Sequence, residues 1–206
     1  MFSLFTVATL LCSVASILAA PQAGTRQFTI KIVNQLGEDV QLKHDPDRGQ
    51  AKFLKTGSTT QFAVPYGWHG NVALLQSGAG HAFLGDESLI EGSFVPQAGI
   101  PVPMFDIDVS YVTGFSVPVT CSCENRVVTG CSQNLYSLHN CPNNNGKGSC
   151  KNPNRDTMGG ATDFFKPCQH MAYTYPDDHA ANANGLCKSG AVTCCIGTSC
   201  APHPTQ

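Results

Sequence analysis

The chain has 206 residues, with 12 Lys and Arg against 14 Asp and Glu, so its formal net charge is −2 and only 13% of its residues are charged. No basic stripe is present to contact a phosphate backbone, and nucleic acid is therefore not an expected partner. Frequent Gly, Pro, Ser, Thr and Asn favour short strands joined by turns.

The first twenty residues are typical of a secretory leader. They contain no charged side chain, and an apolar core over residues 4–12 leads to Ala19 and Ala20 before Pro21. Because the core is too short to span a membrane, it predicts a signal peptide, 1–19, that is cleaved after Ala19. Trimming in a later step and an N-terminal membrane anchor remain alternatives. No second long apolar run follows, so we expect a secreted, soluble monomer, extracellular or associated with a cell wall, with no stable membrane span.

The remaining residues, 20–206, have a length that suits one domain, or one domain with an added lobe. The part over residues 26–119 holds no cysteine, and its apolar alternation predicts a series of short strands. The predicted strands cover residues 28–32, 40–42, 60–64, 71–75, 82–84, 103–110 and 115–119. In the clearest strand, Asp106 and Asp108 face the side opposite to the apolar residues. The series predicts a mainly β fold, an antiparallel sandwich or flattened barrel.

The part over residues 120–206 is rich in cysteine and predicts a disulfide-rich loop lobe with closing strands. Its ten cysteines are Cys121, Cys123, Cys131, Cys141, Cys150, Cys168, Cys187, Cys194, Cys195 and Cys200. An even number in a secreted chain predicts disulfides, each worth about 2–4 kcal/mol. A zinc site on thiolates is an alternative that an oxidising compartment disfavours, so no metal or other cofactor is expected. One short helix is predicted over residues 163–166, with Thr162 as its cap and Pro167 at its end.

Three segments of the chain resemble the thaumatin-like family. Residues 105–118, FDIDVSYVTGFSVP, are similar to the family stretch Asp-Ile/Val-Ser-x-Val-Asp-Gly-Phe-Asn-x-Pro. The spacing Cys121-x-Cys123-x7-Cys131-x9-Cys141 is close to that of the family. Residues 164–168, FFKPC, and 172–178, AYTYPDD, followed by Cys187, resemble its later motif. The absence of a cysteine in the first strand departs from the family, and the leader with a shortened cysteine set suggests a small, fungal member.

The resemblance implies an acidic cleft that binds β-glucan, with weak β-1,3-glucan hydrolysis in some members. Glu91 matches the cleft glutamate of a Leu-Ala-Glu motif, and Asp108 matches the first cleft aspartate. Thr113 stands where the family has a second aspartate, and Asp177 or Asp178 matches an aspartate near the end. No counterpart of the cleft arginine is found.

The resemblance also implies a disulfide pattern. It pairs Cys121 with Cys187, Cys123 with Cys168, and Cys131 with Cys141. The remaining four cysteines are then assigned as Cys150–Cys194 and Cys195–Cys200.

Glycoside cleavage needs a carboxylic acid and a second carboxylate about 5 Å or about 6.5–9.5 Å apart. Glu91, as the acid, and Asp108 would be that pair if the protein is a hydrolase. The alternative is that Asp106 and Asp108 are only the solvent side of a strand. The aromatic rings of Tyr111, Tyr173 and Tyr175 are expected to pack inside the fold and not to stack on sugars.

Three functions follow from these residues. The first is binding of a cell-wall polysaccharide, above all β-1,3-glucan, with antifungal or wall-remodelling action. The second is a surface adhesin or host-directed effector that binds a host or surface protein. The third is a weak endo-β-1,3-glucanase, which Thr113 and the missing arginine disfavour.

Overall fold

Alternating apolar residues build two five-stranded sheets, which the computed structural model describes over residues 27–44, 51–95 and 104–206. The predicted leader lies outside these residues. The strands are β1 (Gln27–Asn34), β2 (Val40–His44), β3 (Lys52–Leu54), β4 (Thr59–Pro65), β5 (Trp68–Gln76), β6 (Ser88–Val95), β7 (Met104–Ser110), β8 (Gly114–Phe115), β9 (Val119–Cys123), β10 (Arg126–Cys131), β11 (Cys150–Lys151) and β12 (Ala191–Ile196). The helices are α1 (Leu135–Leu138) and two 3-10 turns, Lys166–Cys168 and His179–Ala181. Within the described ranges, no helix is long and apolar enough to cross a membrane.

The two sheets pack face to face, which confirms the predicted antiparallel sandwich. Sheet I has the strand order β10-β9-β12-β1-β4, with β1 and β12 parallel, and sheet II has the order β3-β2-β5-β6-β7. Ile30 and Ile32 of sheet I and Leu74 and Ile107 of sheet II are fully buried between them. Because side chains alternate along a strand, the opposite face of sheet II carries the intervening residues, which include Glu91, Asp106 and Asp108 as well as the apolar Leu75 and Leu89.

Three local predictions are wrong. The predicted strand over residues 115–119 is broken, because β8 ends at Phe115, residues 116–118 form no strand, and β9 begins at Val119. Residues 82–84 form a loop, and the neighbouring strand is β6, which no predicted strand covered. The helix predicted at 163–166 is a turn in which the N–H groups of Phe165 and Lys166 donate to the Thr162 carbonyl. The hydroxyl of Thr162 has no hydrogen-bond partner within the described residues, so it caps no helix. Phe164 and Phe165 are adjacent in sequence and both buried. A short surface helix would turn one of two adjacent residues toward solvent, whereas a turn can bury both.

All ten cysteines are disulfide-bonded, but four of the five expected pairings are wrong. The bonds are Cys121–Cys194, Cys123–Cys187, Cys131–Cys168, Cys141–Cys150 and Cys195–Cys200. Only Cys195–Cys200 is confirmed, and the pairings Cys121–Cys187, Cys123–Cys168, Cys131–Cys141 and Cys150–Cys194 are not formed.

The sheet register explains the difference. Strand β12 lies antiparallel to β9 and places Cys194 directly opposite Cys121, so these two thiols meet across the ladder. Alternation then turns Cys195 to the other face, where Cys200 reaches it after a short loop. Five disulfides are typical of a protein that folds in an oxidising compartment.

The lobe, residues 132–190, docks on the free edge of β7. The Tyr173 N–H donates to the Val109 carbonyl at 2.9 Å, and the Tyr111 N–H donates to the Tyr173 carbonyl at 2.7 Å. Asn152 is fully buried and donates through its amide to the carbonyls of Tyr111 and Thr174. The predicted packing role of Tyr111 is confirmed, because its ring is completely buried. The lobe therefore forms a fixed wall beside the outer face of sheet II.

Candidate functional site

The outer face of sheet II brings three carboxyl groups together where β6 and β7 pair. In this antiparallel pair, Glu91 stands opposite Asp108, and Ser93 stands opposite Asp106. Directly opposed residues have Cβ atoms about 4.5–5.5 Å apart. The sheet register therefore places Glu91, Asp106 and Asp108 on one face, and they are called the acidic cluster below.

The acidic cluster opens into a groove between sheet II and the lobe. A cavity of about 290 Å³, the acidic groove, is lined by Glu91, Asp108, Ser110, Val112, Thr113, Tyr173 and Pro176. A larger cavity of about 640 Å³, the adjoining cavity, shares Thr113 with it and continues past Asn71, which stands opposite Glu91 on β5. Lys43 lies among the residues that line the adjoining cavity. The polar face of sheet II therefore carries two neighbouring depressions that meet at Thr113.

The surroundings of the acidic cluster favour protonated carboxyls. Burial raises the pKa of Asp108 to about 7, against the opposing effect of the Ala183 N–H, and the charges of Asp106 and Glu91 add to the rise. The Ala183 N–H donates to Asp108 Oδ1 at 2.8 Å. Burial also raises the pKa of Glu91, opposed by a hydrogen bond with Ser110, and that of Asp106, opposed by a hydrogen bond with Asp108.

These shifts change the expected division of roles within the groove. The sequence suggested Glu91 as the proton donor, whereas in the structure burial raises the pKa of Asp108 to about 7. Asp106 Oδ1 is buried without a hydrogen-bond partner in the described part of the chain. Asp108 is therefore the carboxyl group that can hold and deliver a proton near neutral pH.

The structure brings some of the expected site residues together and leaves others out. Glu91, Asp108 and Thr113 all line the acidic groove, and the Thr113 hydroxyl donates to the Glu87 carbonyl at 3.2 Å. Asp177 and Asp178 are not among the lining residues. Asp177 is partly exposed, and Asp178 is fully buried inside the lobe.

Asp178 is held inside the lobe by four hydrogen bonds. Its carboxylate accepts from the backbone N–H and the ring Nδ1 of His170, and from the N–H and hydroxyl of Thr174. The sequence motif could not indicate this orientation, because the direction of one aspartate in a turn depends on its tertiary partners.

Several contributors to the groove were not predicted as site residues, and Val112, Tyr173 and Pro176 are among them. Asp106 was expected only as a solvent-facing residue of its strand. Its spacing of two residues from Asp108 could have placed it on the same face as Asp108. Ser110 continues the same alternation. The Ala183 N–H could not have been predicted, because a backbone donor leaves no mark in the sequence and Ala183 lies in a loop far from Asp108 along the chain. Across the described ranges, no group of three or more His, Cys, Asp and Glu side chains could hold a metal ion.

No family model and no curated protein matches the chain. Among solved structures, the chain is similar to the crystal structure of the protein elicitor MoHrip2 from Magnaporthe oryzae. The two share 15% sequence identity, with 50% of this chain and 76% of that chain covered and a TM-score of 0.35. This likeness assigns neither a family nor a function to the chain.

Proposed function

We propose that the chain is a secreted, thaumatin-like protein that binds a cell-wall polysaccharide, β-1,3-glucan first, in the acidic groove. The observation that carries the proposal is the convergence of Glu91, Asp106 and Asp108 on one open face of sheet II, beside a wall formed by Tyr173 and Pro176. The predicted leader and the five disulfides support an extracellular location.

The chemistry of the groove suits an uncharged, hydroxyl-rich chain. Carboxyl oxygens accept hydrogen bonds from sugar hydroxyls, and the Thr113 hydroxyl, which donates to the Glu87 carbonyl, can accept a further one. Tyr173 adds an aromatic surface, and its partial exposure leaves the predicted choice between packing and sugar contact open. The adjoining cavity offers space for further sugar units of a polymer that enters the acidic groove.

Weak glycoside hydrolysis is the second candidate, favoured by the raised pKa of Asp108 to about 7. A carboxyl that stays protonated near neutral pH can protonate a leaving oxygen, and Glu91, across the strand pair, is the available second carboxylate. Among the described residues that line the acidic groove, none is basic. Binding remains the leading function because it tolerates looser positioning of the carboxyls than catalysis does.

The test measures retention of the purified protein on insoluble β-1,3-glucan, chitin and cellulose. We expect preferential retention on β-1,3-glucan, weakened about fivefold or more by Glu91→Gln and by Asp108→Asn. The control Glu38→Gln makes the same change at an exposed turn outside the groove and should bind normally. Release of reducing ends is followed in parallel, and turnover that is lost in Asp108→Asn would make hydrolysis the leading function.

Two results would contradict the proposal. Retention that survives both groove substitutions would place the sugar site elsewhere on the protein. Retention on none of the three polysaccharides would exclude wall binding and favour the adhesin or effector alternative.

A further inference from the structure

A second cavity lies on the other side of the loop segment that bounds the acidic groove. This segment comprises residues 179–187. On the groove side, the Ala183 N–H donates to Asp108, and the Asn182 side-chain amide donates to the Tyr173 hydroxyl. Its other side helps to enclose a cavity of about 450 Å³, called the histidine cavity below. The lining residues are Arg126, Val127, Val128, His170, Ala180, Ala181, Asn182, Leu186, His203 and Pro204. A volume of this size is typical of a small-molecule site.

The pair His170 and Asp178 is built into the wall of this cavity. Asp178 is fully buried, and its carboxylate lies 2.7 Å from the His170 Nδ1 and 3.2 Å from the His170 backbone nitrogen. His170 has a φ of 69°, in the left-handed region that non-glycine residues rarely adopt. The carboxylate therefore fixes both the backbone and the ring of His170, whose side chain is 57% exposed and lines the cavity.

This arrangement holds a histidine in one orientation. A carboxylate that accepts a hydrogen bond from one ring nitrogen sets the tautomer and the orientation of the ring. Local backbone strain held by surrounding structure is found preferentially at functional sites. Asp178, which the sequence motif assigned to the acidic groove, acts here as the positioning residue for His170.

The rest of the histidine cavity combines one strong cation with apolar walls. Arg126 begins β10, and no carboxylate forms an ion pair with it in the described part of the chain. Val128, Leu186 and Pro204 supply apolar surface, and 44% of Leu186 is exposed. Burial lowers the pKa of His203, opposed by a hydrogen bond with Val128, so this ring adds polarity and not charge.

We propose that the histidine cavity is a binding site for a small organic carboxylate with an apolar body. The planar Arg126 guanidinium can bind both oxygens of a carboxylate, and the His170 ring, held by Asp178, lines the same cavity as a further polar contact. The apolar body then lies against Val128 and Leu186. A fully polar dianion such as inorganic phosphate would leave this apolar surface unused, and a neutral sugar would leave Arg126 without a counter-charge.

The experiment titrates the intact, disulfide-bonded protein with benzoate, acetate and inorganic phosphate. Binding is followed by isothermal calorimetry and by the NMR signals of the histidine rings. We expect benzoate to bind more tightly than acetate or phosphate and to shift the ring signals of His170. Arg126→Gln and His170→Gln should each weaken benzoate binding about tenfold, whereas Lys151→Gln, which removes an exposed charge on β11, should have no effect.

A further variant separates positioning from folding. Asp178→Asn should weaken benzoate binding and move the His170 ring signals in the free protein, because the ring loses its charged partner. Thermal unfolding of Asp178→Asn, measured in parallel, shows any loss of stability separately from the change in binding. The inference is overturned if benzoate leaves His170 unshifted, if phosphate binds as tightly as benzoate, or if Arg126→Gln binds benzoate normally. None of these outcomes depends on whether the acidic groove binds glucan.

Discussion

Asp108 occupies the centre of the acidic groove, where its charge opposes folding at neutral pH. Its ordinary pKa of 3.8 rises to about 7 in the folded protein, so the native state binds the extra proton between these two values. Stability therefore falls as the pH rises through this window, because ionisation is easier in the unfolded chain. One pKa unit corresponds to about 1.4 kcal/mol, so the cost at high pH is on the order of 2–4 kcal/mol.

At the residue scale, we expect Asp108→Asn to stabilise the protein at pH 8 and to have little effect at pH 4. The asparagine keeps an oxygen for the Ala183 N–H but carries no charge to desolvate. The expected gain at pH 8 is on the order of 2 kcal/mol in the free energy of unfolding, measured by denaturant titration.

The matched control for this prediction is Asp156→Asn. The Asp156 side chain is 88% exposed, and its substitution should leave the pH dependence unchanged. A loss of stability in Asp108→Asn that is equal at both pH values would contradict the assigned burial effect.

Residue identities in the groove were predictable from the family resemblance for Glu91, and from the resemblance together with strand alternation for Asp108. Glu91 and Asp108 were expected to converge, and the β6–β7 register places them opposite each other. Asp178 was expected beside them, but its orientation depends on His170 and Thr174, which no local pattern links to it. Tertiary hydrogen bonds of this kind decide where a loop carboxylate points.

At the scale of elements, the lobe is attached to sheet II through few buried polar contacts. Asn152 donates to the carbonyls of Tyr111 and Thr174, and its own oxygen accepts the Asn154 N–H. We expect Asn152→Ala to cost about 2–4 kcal/mol in the free energy of unfolding, because two buried carbonyls lose their partner. Urea denaturation measures this loss.

The control for the lobe contact is Asn144→Ala, at an exposed position whose side chain accepts only the Gly146 N–H. It should cost less than about 1 kcal/mol. Equal losses for the two variants would show that Asn152 does not hold the lobe on the sheet.

The disulfides also differ in how much they contribute to the free energy of unfolding. Cys121 and Cys194 are separated by 73 positions and join β9 to β12 in the core, whereas Cys195 and Cys200 are separated by 5. Loop-closure entropy predicts about 4 kcal/mol for the first bond and about 2 kcal/mol for the second. The double variant Cys121→Ala/Cys194→Ala should therefore lose more stability than Cys195→Ala/Cys200→Ala.

Thermal unfolding of the two double variants, with the other cysteines verified as oxidised, tests this order. A larger loss for Cys195→Ala/Cys200→Ala would contradict the pairing and the location of these bonds.

Elements with regular alternation were predictable, and elements fixed by distant contacts were not. The strand at Gln27–Asn34 and the strand at Met104–Ser110 follow their apolar period. In strand β6, Gly92 lies between the inward residues Ile90 and Phe94, and Leu89 lies beside Glu91 on the outer face, so the apolar alternation is interrupted. The disulfide pattern depends on how β12 inserts between β9 and β1, and sequence spacing does not specify this order.

At the scale of the whole molecule, the acidic groove forms where the lobe meets sheet II. Sheet II supplies the carboxyls from paired strands, and the lobe supplies the wall at Tyr173 and Pro176 together with the Ala183 N–H. The same lobe encloses the histidine cavity on the other side of residues 179–187. Two sites of opposite electrostatic character can therefore share one structural segment.

The most direct test of the glucan-binding proposal is NMR mapping of a soluble β-1,3-linked glucose oligosaccharide on the protein. We expect the largest amide shifts at Glu91, Asp108, Ser110, Thr113 and Tyr173, with affinity reduced about tenfold in Glu91→Gln. Shifts confined to sheet I, or no shifts at millimolar oligosaccharide, would contradict the assignment of the acidic groove as a sugar-binding site.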